Sequence, residues 1–231
     1  NGSATLTISG TRDAINTAVA TLTYAPSTNY SGSDTLSIGI SDTGNVGTGG
    51  TLTASDTVAI TVTPVNDAPV LVDGVPQLTT IDENNTTVGT VGNLVSDLLA
   101  GTTGGTTGGT TAGDKTGRTD VDTLNNGGAG NAPEAVGQGM AIFATSNTGP
   151  ADGGVWQYSI NGGSTWAAID AVSSSSALLL SATDKVRFVP DGENATTATI
   201  SYHIWDGSSG SAGAKVDAST RGGSTAFSTA S

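Results

Sequence analysis

Apolar and small polar residues alternate along much of this chain. Leu36-Ser37-Ile38-Gly39-Ile40 sets three apolar side chains on one face, and Val58-Ala59-Ile60-Thr61-Val62 does the same. Val155 to Ile160 and Ile200-Ser201-Tyr202-His203-Ile204 continue the pattern. A period of two is what a half-buried strand requires, because successive side chains point to opposite sides of a sheet. Clusters of turn-forming residues, such as Ser41 to Gly50 and Asn125 to Asn131, separate the runs. No stretch carries a long face of period 3.6. Asp13 to Leu22 allows a short helical turn between strands and no more. The pattern predicts an all-β fold.

The alternating runs also repeat. Leu22 to Asp42 aligns without a gap on Val186 to Asp206. Tyr24 then matches Phe188, Pro26 matches Pro190, and Leu36, Ile38 and Ile40 match Ile200, Tyr202 and Ile204. Asp42 matches Asp206, and each is followed by a Gly/Ser/Thr-rich loop leading to a Gly-Gly pair, Gly49-Gly50 and Gly222-Gly223. In the first copy a final strand follows, Asp56 to Thr63, and then Val65-Asn66-Asp67-Ala68-Pro69, which reads as a joint between domains. Residues 1–66 are therefore expected to be the C-terminal part of one domain. Residues 67–231 are expected to be a second domain lacking its last strand. Missing strands leave open edges. Two explanations stand: a window cut from a longer chain, which is preferred, or strands supplied by neighbouring subunits.

Composition agrees with strands. The 34 glycines disfavour helix, and aromatic residues are only 4% of the chain. Thr102 to Thr111, a Thr-Thr-Gly-Gly tract, has nothing large enough to pack and marks 101–117 as a flexible inserted loop. Asp and Glu outnumber Lys and Arg by 20 to 7, a net charge of -13. That balance argues against nucleic acid, whose phosphates call for Lys and Arg. It suits carboxylates partly neutralised by metal cations, or solubility through self-repulsion. With no cysteine, disulfides and thiolate metal sites are excluded. No apolar run approaches the roughly 20 residues of a membrane helix, so no membrane insertion is expected. No signal peptide stands at Asn1, which reads as the start of a fragment or mature segment.

The candidate chemistry lies in acidic and amide residues at turns. Asn66 with Asp67, Asp82 with Glu83, Asp120 with Asp122, and the repeated Asp42 and Asp206 all fall at strand ends. Calcium takes six to eight oxygens from carboxylates, amides and carbonyls, so a calcium site at a joint draws on such residues. Singly, each is an ordinary turn or cap residue. The Asp120-Val121-Asp122 pair is more specific, since two neighbouring carboxylates repel unless solvated or bridged by a cation.

These same residues resemble cadherin-type repeats. Ile81-Asp82-Glu83-Asn84 followed by Gly89-Thr90-Val91 looks like the opening strand of such a repeat. Asp120-Val121-Asp122 is similar to the family's Asp-x-Asp ligand pair, and Ile204-Trp205-Asp206 to its later ligand strand. Val65-Asn66-Asp67 is similar to the centre of the family's linker, although Pro64 and Ala68 replace an Asp and an Asn there. Val-Asn-Asp-Ala-Pro looks most like the cadherin-like repeats of large bacterial adhesins exported by type I secretion. The resemblance implies tandem Ig/cadherin-like Greek-key β-sandwich domains and bound Ca2+. It implies that Asn66, Asp67, Asp120, Asp122 and Asp206 gather at the internal joint. Glu83 then serves the opposite end, and Asp42 a joint whose other ligands precede Asn1.

Other motifs read as structural. Ser159 to Trp166 matches the Asp-box of sialidases with Asn for Asp, but in a single copy. It predicts a β-hairpin with Asn161-Gly162 in positive φ, and Trp156 and Trp166 on its strands. His203 is the one histidine; alternation sets it opposite Tyr202 and Ile204, on the face of Trp205, as a surface residue. No Gly-x-Ser-x-Gly setting accompanies a serine, and the expectation is not an enzyme. The expected function is a calcium-rigidified spacer of an extracellular adhesin or cell-surface filament, its partners adjacent repeats or identical subunits. Two alternatives remain: a self-assembling filament subunit completed by strands from neighbouring chains, or a module binding a surface glycan or protein through Trp166 or Trp205.

Overall fold

The computed structural model describes residues 5–44, 49–72, 81–84, 92–100, 117–120, 139–148, 153–193 and 197–231. The regular structure among the described residues is mostly antiparallel strand, as the alternation predicts, with two short helices. The chain divides into two compact units, and among the described residues the division falls between Pro64 and Val65. The tract from Thr102 to Thr111 lies outside the described residues, and the expected loop at 101–117 ends in a strand at Gly117.

The first unit is built on one hairpin. Strand β1 (Gly32–Ser41) pairs in antiparallel register with β2 (Thr53–Val62), from Gly32 opposite Val62 to Ser41 opposite Thr53. Opposite residues share a face, so Leu36, Ile38 and Ile40 line one side together with Val58 and Ala54, and Ser and Thr line the other. Asp42 closes the hairpin loop: its carboxylate accepts the Gly44 and Leu52 amides, both at 2.9 Å. Those two backbone donors hold its pKa below the usual carboxylate value. Helix α1 (Arg12–Val19) is capped by Thr11, whose hydroxyl accepts the Ala14 amide. It is a full two turns where the sequence suggests a single turn. None of the described residues of this unit is buried, and Leu22, Ile40 and Leu52 are more than half exposed.

The second unit holds the core. Strand β3 (Val70–Val72) pairs with β5 (Gly117–Thr119). Between them in sequence come β4 (Asn93–Leu94) and helix α2 (Val95–Ala100). Then follow β6 (Gly139–Thr148), β7 (Gly154–Ser159), β8 (Ala167–Ala168), β9 (Ala177–Leu180), β10 (Lys185–Pro190), β11 (Thr197–Trp205) and β12 (Lys215–Val216). They form two four-stranded antiparallel sheets, in the orders β4-β10-β7-β8 and β11-β6-β9-β12. Met140, Ile142, Leu178, Leu180, Tyr202 and Ile204 of one sheet meet Trp156 and Val186 of the other in a single apolar cluster. Val95, Leu98 and Leu99 of α2 close it. Each such aliphatic side chain contributes about 1.5–3 kcal/mol on burial, which identifies this cluster as the main source of stability.

The outer face of the second sheet is covered as well. After β11 the chain wraps back, and Phe227 forms a bridge opposite Trp205. The Ser228 amide donates to the Ile204 carbonyl at 3.0 Å, and the Asp206 amide to Ala226 at 3.2 Å. Ala218, Ala226 and Phe227 of this wrap pack with Ala141, Ala177, Leu179 and Trp205 into a second buried cluster. The internal repeat shows in the pairing: Ser41 and Trp205 are equivalent, and each opens a backbone pairing after a loop, with Thr53 and Phe227 respectively. This two-sided cover corrects the expectation for His203, which is 2% exposed rather than on the surface. The hairpin joining β7 to β8 forms as expected, but positive φ falls on Gly162 (72°) and Gly163 (96°), not on Asn161.

Candidate functional site at Asn66 and Asp206

Residues 65–69 open the second unit without regular structure and lead into β3; Pro69 is buried and has no N–H to donate to a ladder. The wrap holds this segment from 140 residues away in sequence. The Asn66 side-chain amide donates to Asp206 Oδ2 at 3.0 Å and to the Thr225 carbonyl at 3.2 Å. The Ala68 amide donates to the Gly223 carbonyl at 2.7 Å, and the positive φ of Gly222 and Gly223 (74° and 60°) allows that approach. Asp206 is fixed in turn, its Oδ1 accepting the Ser208 amide at 2.7 Å. Asp206 and Asn66 are half-buried, so these bonds are made partly out of water.

The two residues predicted from opposite ends of the unit are thus in direct contact. Asp67 is adjacent and half-buried. Asp120 is 4% exposed and follows Thr119, which pairs with Val70, so the register sets it beside Pro69. Asp122 lies outside the described residues. Glu83 is exposed in a turn and enters none of these hydrogen bonds, and Asp42 belongs to the first unit, where it braces its own loop. Among the described residues no three His, Cys, Asp or Glu side chains gather closely enough to hold a metal ion.

The donor set nevertheless fits a hard cation in kind. Asp206 and the Thr225 carbonyl are both oxygen acceptors that converge on one amide. The NH2 group there satisfies two acceptors at once; rotation of the amide by half a turn would present its oxygen instead. Sequence reasoning missed the Gly223 and Thr225 carbonyls, since a backbone oxygen carries no residue signature. The repeated Gly-Gly pair was the available pointer to them.

The tryptophans bear on the binding alternative. Trp205 is 5% exposed, and its indole donates to the Ser209 carbonyl at 2.7 Å. Trp156 is equally buried, edge-on to Phe188. Trp166 is half-buried beneath the Arg187 guanidinium, 3.9 Å from its ring centre, and Arg187 is tied to Gln157 Oε1. No helix among the described residues is long and apolar enough to cross a membrane. Comparisons with protein-family models, curated proteins and solved structures find no match to this chain.

Proposed function

We propose that this chain is a non-catalytic spacer segment of an extracellular adhesin or surface filament, its domains cadherin-like Greek-key sandwiches, with Ca2+ stiffening the segment between them. The observation that supports the reading is the clasp of Asn66 on Asp206 and the Thr225 carbonyl, which ties the first residues of the second unit to the end of a strand 140 residues on. The residues that would hold the ion are Asn66, Asp206 and the Thr225 carbonyl, with Asp67, Asp120 and Asp122 as further carboxylates. A bound ion would neutralise clustered negative charge and remove hinge freedom at residues 64–69. The cover over Trp205 and the Arg187 stack on Trp166 disfavour a glycan platform built on those rings.

The test is a calcium titration of the whole chain, followed by melting and by small-angle scattering. Saturation at a hundredfold excess over Kd adds about 2.7 kcal/mol, which raises Tm by roughly 5–10 °C for a unit of this size. If chelation leaves both Tm and maximum dimension unchanged, calcium has no part in the function.

One observation favours the filament alternative. Ile38, Ile40 and Val58, on one face of the first unit, are exposed and Leu36 beside them is only half-buried, whereas the equivalent Ile200, Tyr202 and Ile204 pack in the core of the second. Sedimentation over a range of concentrations separates the readings. Self-association abolished by Ile40→Glu supports a subunit completed by its neighbours; a monomer at all concentrations supports the spacer.

A further inference from the structure

His203 sits at the centre of the wrap. Its ring is stacked on Phe143, with centroids 4.5 Å apart and an interplanar angle of 19°. Nδ1 lies 2.9 Å from the Ala230 carbonyl, and Nε2 lies 3.0 Å from Arg221 Nη1. Those partners dictate the state of the ring. A guanidinium only donates, and it does not lose its proton in a protein, so Nε2 must be the unprotonated acceptor. A carbonyl only accepts, so Nδ1 must carry the proton. One neutral tautomer satisfies both contacts, and the doubly protonated ring satisfies only one. A proton added at Nε2 sets N–H against N–H, beside a positive charge, in a site that is 2% exposed.

Among the described residues, the contacts of the ring include no acidic group to offset that charge. Arg221, on the wrap, is the charged group facing the ring. The packed strand β6 presents Phe143 and Ala141, and β11 itself presents Trp205 on the same face, none of which titrates. The wrap that His203 pins also carries Gly223 and Thr225, whose carbonyls hold Ala68 and Asn66. We propose that His203 is a pH-sensitive latch: neutral, it locks residues 221–230 onto the sheet and thereby anchors residues 66–68, and on protonation it releases both. This inference does not rest on the calcium reading.

Burial and the Arg221 charge both hold the His203 pKa below its usual 6.5. The unfolded or opened chain then takes up a proton first as pH falls. Latching is complete above 6.5 and weakens below it, by at most tenfold per pH unit, until the ring's own lowered value is reached.

The chain has one histidine, so nitrogen NMR reads this ring without ambiguity. At pH 7.5, Nδ1 should appear protonated and Nε2 bare. From pH 7 to 5, amide exchange corrected for its intrinsic rate should accelerate up to tenfold per unit at Ser228 and Ala68. The Gly213 amide, bonded to the Leu179 carbonyl elsewhere in the sheet, should not follow. In His203→Gln, whose neutral amide can donate to one partner and accept from the other, the acceleration should vanish. A ring protonated at Nε2 at pH 7.5 overturns the proposal, as does a titration that leaves Ser228 and Ala68 protected. Unchanged acceleration in His203→Gln does the same. The wild-type titration decides the matter alone if the variant does not fold.

Discussion

Replacing Asn66 by Asp turns the clasp into a charge test. In the native chain the amide nitrogen stands 3.0 Å from Asp206 Oδ2. Asn66→Asp puts a second carboxylate oxygen there and deletes the donor that satisfied Asp206 and the Thr225 carbonyl. At that spacing two like charges repel by about 1.4 kcal/mol in water and several-fold more at an effective dielectric near 20. Both groups are half-buried and still reached by solvent, so screening keeps the figure toward the lower end. With the lost charge-assisted hydrogen bond, about 2 kcal/mol is the expected total without calcium. For a unit of this size that is a fall in Tm of roughly 4–8 °C.

Calcium should reverse the sign. Two carboxylates in place of one strengthen an all-oxygen site, so the variant should gain more from the ion than the native chain does. All three tryptophans lie in the second unit, so their fluorescence follows its melting without interference from the first. The comparison is four melts: native and Asn66→Asp, each in chelator and in millimolar calcium. A variant as stable as the native chain in chelator refutes the clasp. A variant destabilised in chelator and equally destabilised in calcium refutes the ion but leaves the clasp intact.

Three further changes probe the frame around this site. Gly139→Ala should cost roughly 2–3 kcal/mol by chemical denaturation, because its Cβ would collide with the Leu180 carbonyl oxygen. Gly162→Ala meets nothing within 4 Å and should cost only about 1 kcal/mol, from its φ of 72°. Asp42→Ala should speed amide exchange at Gly44 and Leu52 while leaving the melt of the second unit unchanged. Its carboxylate pKa lies below the usual value, so the bracing should persist well below neutral pH and fail only as pH falls through that lowered value. Phe227→Ala should open the wrap, seen as a red shift of Trp205 emission, with the main cluster of Leu178, Leu180 and Ile204 still folded.

The strands were legible because their period is local. Leu36 to Ile40 and Val58 to Val62 needed only alternation to be read as strands; that they pair with each other, their apolar positions on one face, is what the register adds. The contact of Asn66 with Asp206 was expected on other grounds: no local period or repeat joins the two, and their meeting is what the resemblance of Val65-Asn66-Asp67 and Ile204-Trp205-Asp206 to cadherin-type motifs implies. Helix α2 was not legible. Its six residues are too few to display a period, and its first two amides are satisfied by the Asp184 and Ala182 carbonyls, partners far off in sequence. Asn161 was assigned a positive φ by analogy with two-residue turns. Its side chain instead accepts the Thr165 amide and donates to the Thr165 hydroxyl, which leaves the strained positions to two glycines.

His203 marks where alternation stops being informative. A period of two states which residues share a face, and it correctly sets His203 with Trp205 against Tyr202 and Ile204. It does not state which face meets water. The usual inference, that the face opposite the core is solvated, holds for a sheet covered once. Here β11 is covered twice, by the facing sheet and by a segment whose Gly, Ser and Ala content resembles that of an exposed loop. Composition reads 206–230 as loop because Ala218, Ala226 and Phe227 are too far apart to register as an apolar run, yet the three converge on one sheet face. Small residues are what let that segment lie close against Leu179 and Trp205: a Cβ on Gly210 would collide with Leu179 Cδ1. The same glycine-rich composition that hides the cover from a sequence reading is what makes the cover fit.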